Sequence, residues 1–170
     1  MLSSDLLIDA VDRVSGVVHA VLKDAGPGVL GYRPDPEANT IAWLVWHLAR
    51  VQDAQIAPLM GEEQVWTAEG WSVRFALPFG PSSTGYGHSA DDVAAVRSSA
   101  ELLGGYFDAV HSRTVAYLPT LVETDFARVV DRGWNPPVTL AVRLVSIIDD
   151  DLQHAGQAAY VRGLAMRAQL

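Results

Sequence analysis

"SIIDDDLQHAGQAAYVRG", residues Ser146 to Gly163, sets three aspartates and a histidine inside a stretch with the apolar spacing of a buried helix. Leu140, Leu144, Ile147, Asp151, His154, Ala158, Val161 and Ala165 follow one another at steps of four and three. That is the seam of a helix that faces a core, and it predicts a helix from about Thr139 to Arg167. At ~100° per residue, Asp150 falls on one flank of the seam and Asp151 on the other, while Asp149 points toward solvent. Asp150 precedes His154 by four residues and Asp151 by three, so either carboxylate can stand beside the imidazole. A carboxylate buried without a partner costs several kcal/mol or shifts its pKa, so the cluster calls for a counter-charge.

Three earlier segments share the helical period. The first runs from about Asp5 to Lys23, with Ser3 or Ser4 as cap. The second opens at Asn39 or Thr40 and carries Trp43, His47, Arg50 or Val51, and Ala54 on one face, weakening near Pro58. The third is expected to start after the Ser89 cap and run to about Leu118, with Gly104 and Gly105 loosening it or allowing a close neighbour. Residues 61–89 form a long connection with five glycines and two prolines, in which short strand-like pieces are an option. Four long helices without strong strand pairs predict an all-α four-helix bundle, with the long connection between helices 2 and 3. The length fits one domain across residues 1–170.

Composition narrows the function. A net charge of -8 argues against a nucleic-acid partner. No stretch approaches the ~18 apolar residues of a membrane span, and the amino terminus lacks the pattern of an export signal, so the reading is cytoplasmic. The chain has no cysteine, which removes disulfides, thiolate metal sites and a protein thiol nucleophile. Any metal must then be held by histidine, carboxylate or water. If His47 faces the last helix, it completes a two-histidine, one-carboxylate set with His154 and either Asp150 or Asp151. Such sets leave coordination positions open and suit Zn, Fe(II) or Ni. The plain alternatives are a satisfied core histidine at His47 and a solvated or arginine-paired aspartate run.

The blocks "NTIAWLVWHLARVQDAQIA", "GEEQVW", "GYGHSADDVAAV" and "VRLVSIIDDDLQHAGQAAYVRGL" resemble the DinB-like superfamily, over roughly residues 5–165. They are most similar to its mycothiol S-transferase branch, formerly a domain of unknown function. The resemblance implies a four-helix bundle with an inner divalent metal (Zn, Ni or Fe). It matches His47 to the first ligand, Asp150 to the middle one and His154 to the last, with Asp151 as substitute for Asp150. Relatives carry histidine or glutamate at the middle position, and aspartate reaches less far.

The resemblance further implies a thiol cofactor, mycothiol or another low-molecular-weight thiol, acting on a small electrophile. His88 is the candidate proton carrier. Trp46, Arg50 and Tyr86 are the candidate substrate contacts. Trp43, Trp66 and Trp71 read as packing, and His19 and His111 as structural or surface residues. Two other readings stand beside this one: a non-catalytic metal-binding or stress-related bundle, and a metal-dependent hydrolase. Apolar bundle faces also suit a homodimer.

Overall fold

A computed structural model describes residues 2–169. Four long helices carry the architecture: α1 (Ser3–Leu22), α3 (Ile41–Met60), α7 (Ala100–Tyr117) and α8 (Leu140–Arg167). Short helices α2 (Pro27–Leu30), α4 (Val65–Ala68), α5 (Trp71–Phe75) and α6 (Ala90–Ala95) lie in the connections. The all-α expectation holds. Each long helix packs chiefly on two others, so the order around the bundle is α1, α7, α3, α8. Consecutive long helices α1 and α3 are therefore diagonal, as are α7 and α8. This is not a ring of neighbouring hairpins.

Local chemistry sets the helix ends. The Thr40, Ser99 and Thr139 hydroxyls accept backbone N–H bonds from Trp43, Leu102 and Val142. Each cap of this kind contributes ~1 kcal/mol. Pro58 does not end α3. It sits in the last turn, and the helix closes at Gly61 in the left-handed region, φ 71°. At α1 the expected serine cap is replaced. Leu2 is the cap residue, and the Asp5 carboxylate accepts from its N–H, while Ser3 bonds Glu123. Arg162 of α8 donates to the carbonyls of Val21 and Lys23, tying down the carboxyl end of α1.

Two expectations change. The helix foreseen over 89–118 is broken: α6 stops at Ala95 and α7 begins anew behind the Ser99 cap. Val96 is extended, and a capping serine ten residues after Ser89 competes with continuation of the helix. The connection 61–89 holds short helices rather than strands. The only strand pairing among the described residues is antiparallel, β1 (Val129–Asp131) with β2 (Val138–Thr139), just before α8.

The core divides into two apolar clusters. One gathers Val14, Val18, Trp43, Trp46, Phe107 and Ala158 with their neighbours. The other gathers Val11, Ile56, Leu118, Leu144 and Ile147. Polar groups lie along the bundle between them. Gln52 donates to Thr114 at 2.8 Å, and Asp151 is buried between Ile147 and Ala155 along α8. Among the described residues, no helix is long and apolar enough to cross a membrane.

Candidate metal centre

His47 projects from α3, one turn after Trp43 and two after the Thr40 cap. It is 6% exposed. Its Nδ1–H donates to the Thr84 carbonyl, brought in by the long connection, so the proton sits on Nδ1 and the Nε2 lone pair is free. Burial lowers its pKa, and the Thr84 bond only partly opposes this. Desolvation thus favours the neutral ring, the form a metal requires. Gly85 makes the approach feasible. Its φ is +97°, and a Cβ there would stand 2.6 Å from His47 Nδ1 and 3.1 Å from Trp43 and Trp46.

Asp150 and His154 come from α8, which packs against α3. His154 Nδ1–H donates to Gln157 Oε1 at 2.9 Å, leaving Nε2 turned to Asp150 Oδ1 at 3.6 Å. Burial disfavours its charged form, but the nearby Asp150 carboxylate and the Gln157 hydrogen bond outweigh it, and the pKa is raised. The second oxygen, Asp150 Oδ2, is buried with no partner. The two imidazoles meet edge to face with centroids 4.7 Å apart. One ligand atom from each of His47, Asp150 and His154 lies within 4.8 Å of the others.

This donor set fits a divalent cation. Two imidazoles are each anchored through Nδ1 with Nε2 left over, and a buried carboxylate oxygen lacks a donor. Hydrogen bonds that orient metal-binding histidines in this way are a regular feature of metal sites. His47 is buried and the other two are half-buried, so the group opens toward solvent on one side. Asp150, and not Asp151, stands in the group. Asp151 is 1% exposed, and its Oδ1 has no partner. Burial, and then the Asp150 charge, push its pKa well above the ordinary carboxylate value.

Around the group, Trp43 stacks on His47 and meets His154 at an edge. Its indole N–H donates to His88 Nδ1 at 3.2 Å, which places the His88 proton on Nε2, directed at Ser83 Oγ 3.0 Å away. His88 also stacks on Trp46 at 5.7 Å. Trp46 is buried at 1% exposure, and Tyr86 is almost fully exposed at 94%. Arg50 is fully buried. It donates to the carbonyls of Pro81 and Ser83, to Gln64 and to Tyr106, and lies 3.6 Å from Asp53. Asp53 accepts from the N–H groups of Val65 and Trp66 and so fixes the start of α4. His19 and His111 sit away from the site, paired with Asp108 and Asp12 across α1 and α7.

Thr84, Gly85 and Gln157 escaped the sequence reading. Gln157 stands three residues after His154, a spacing that could have flagged it. Gly85 lies in "TGYG", a turn signal without a visible partner. Thr84 acts through its backbone, which leaves no trace in side-chain pattern.

The chain matches the DinB superfamily over residues 10–158. It is also similar to a crystal structure of a conserved protein from Enterococcus faecalis, at 33% identity and a TM-score of 0.91, over 98% of each chain. No curated protein matches it. DinB-like proteins commonly bind a divalent metal, and the His47–Asp150–His154 group can hold one here.

Proposed function

The chain belongs to the DinB superfamily, and from that premise we propose that it is a metal-dependent S-transferase. It joins a low-molecular-weight thiol, mycothiol or a relative, to a small electrophilic carbon. The observation that carries this reading is the Asp150 Oδ2 atom, buried without a donor beside two imidazoles whose Nε2 atoms are left for a ligand. His47, Asp150 and His154 would hold the ion. A divalent cation with open positions lowers the pKa of a thiol or water beside it and supplies a nucleophile near neutral pH.

This chain's own residues do the rest. Thr84 and Gln157 fix the proton of each ligand imidazole on Nδ1. Trp43 walls the site on one side and excludes water from the His47 face. His88, with its proton on Nε2 and Ser83 as neighbour, is the titratable group placed to hold or pass a proton. The chain has no cysteine, so the sulfur comes from the small molecule. Transfer forms a sulfur–carbon bond. The thiol proton goes to a base, and the electrophile's leaving group departs with the bonding pair.

The experiment begins with elemental analysis of untagged wild type beside His154→Ala. Near-stoichiometric Zn, Ni or Fe in the wild type, lost in the variant, is expected. Transfer assays with mycothiol and a panel of electrophiles then follow. Activity without added thiol would replace transfer by hydrolysis. Metal without either activity would leave a cation that only ties α3 to α8.

A further inference from the structure

A cavity away from the histidine group lies between α2, the start of α3 and the break between α6 and α7. Its volume is about 340 Å³, at the small end of ligand pockets. Pro27, Leu30, Ala42 and Val96 give it apolar walls, and Arg33, Arg97 and Ser98 supply its polar groups. No acidic side chain lines it. In a chain of net charge -8, a cavity walled by two guanidinium groups and no carboxylate favours an anion over a cation.

The polar groups are set for a ligand rather than for the protein. Arg33 Nε donates to the Ala38 carbonyl at 2.6 Å and Nη1 to the Ala90 carbonyl at 3.1 Å, which fixes the guanidinium plane. Nη2 is left buried without a partner, and so is Ser98 Oγ. Arg97 is exposed at the rim, and only its Nε is engaged, by the Ala94 carbonyl at 3.3 Å. Among the described residues, neither arginine forms an ion pair. A rigid arginine with a buried free N–H beside a free hydroxyl matches the planar or tetrahedral oxygens of an anion. The helix break builds the site: Arg97 and Ser98 occupy the joint between α6 and α7.

We propose that this cavity binds a small molecule carrying one oxyanion, a carboxylate or a phosphate monoester, on a compact apolar body. The oxyanion sits between Arg33 Nη2, Ser98 Oγ and Arg97, and the body packs on Leu30 and Val96. The cavity shares no lining residue with the His47–Asp150–His154 group, so the inference stands apart from the S-transferase reading. It nonetheless borders the same wall, since Thr40 lines the cavity and caps the turn that carries Trp43.

The test is NMR of the full chain, titrated separately with benzoate and with phenyl phosphate. Saturable shifts are expected at the amides of Gly28, Gly31, Arg33 and 94–98, with those of His47 and His154 unmoved. Saturation by benzoate alone assigns a carboxylate ligand, and by phenyl phosphate alone a phosphate ester. Arg33 also ties Ala38 to Ala90, so Arg33→Gln tests folding as well as binding. Arg97→Gln, at an exposed position, removes one charge and should weaken binding about tenfold. No saturable shift with either probe, or unchanged affinity in Arg97→Gln, overturns the proposal.

Discussion

The indole of Trp43 lies flat on the imidazole of His47, ring centroids 4.4 Å apart and planes 15° from parallel. The stack and the Thr84 bond hold the ring from two sides, and the same indole donates to His88. Trp43→Leu keeps an apolar but smaller side chain and removes both constraints. Metal affinity should fall about 10- to 100-fold, the usual effect of losing an orienting neighbour. Competition with a chelating dye measures it, with a urea melt as control. Unchanged affinity in a folded variant would show that the stack packs the core without orienting His47.

Gly85 gives a sharper form of the same idea. A methyl group there meets His47 Nδ1 at 2.6 Å, and the φ of +97° is strained for any side chain. Gly85→Ala should lower stability by about 1–3 kcal/mol and lose bound metal, because the Thr84–His47 bond must open. Gly87 also has positive φ, 74°, but a Cβ there meets nothing within 4 Å. Gly87→Ala therefore separates backbone strain from steric displacement: it should lose stability and keep metal. Equal metal loss in both variants would remove the steric explanation.

The periodicity of the last helix was readable because burial there follows one face. Leu140, Leu144, Ile147, Asp151, Ala158, Val161 and Ala165 are all buried as the seam requires. His154 is only half-buried, rotated toward Asp150, while Ala155 takes the inner place. Spacing alone left Asp150 and Asp151 as alternatives, since a helix offers both flanks. The choice depends on where α3 lies across the bundle. Arg50 shows the limit from the other side. Helical position put it near His47, yet its guanidinium is engaged by the carbonyls of Pro81 and Ser83, over thirty residues away. Contacts of that range carry no period, and they decide what a connection such as 61–89 captures. The α6–α7 break was hidden for a related reason, because Ser98 and Ser99 favour a cap only weakly over a helix interior and the apolar spacing continues past them.

Metal loading should depend on pH through His154. Burial works against its charge, but Asp150 and Gln157 raise its pKa above the ordinary 6.5. In the metal-free protein the His154–Asp150 pair contributes stability that is present below pH 6.5 and lost as pH rises through the raised value. Metal binding needs the neutral ring, so it runs the other way, strengthening as pH rises through the same range. His47, lowered first by burial, gives up its proton at lower pH than His154. Calorimetry in buffers of different ionisation enthalpy should show one proton released per metal below the His154 transition and less above it. His154→Gln should abolish the step, and a release that persists in that variant would place the proton elsewhere.

Asp151 presents the opposite sign problem in the core itself. It is sealed between Ile147 and Ala155, with Oδ1 unpartnered, and burial followed by the Asp150 charge raises its pKa well above 3.8. A carboxyl whose folded pKa is raised binds its proton more tightly when folded. Its effect on stability is therefore most favourable at low pH, and stability declines as pH climbs from the unfolded value of ~3.9 toward the folded one. Asp151→Asn cannot ionise and should flatten that decline. It should leave the variant more stable than wild type at high pH, where the wild-type carboxyl would have to ionise in a buried site while the amide carries no charge to desolvate. Urea melts across the pH range, with chelator present so that no ion screens Asp150, give both slopes. A variant with the wild-type slope would show that Asp151 is ionised and partnered in solution. That would return it to candidacy as a metal ligand in place of Asp150.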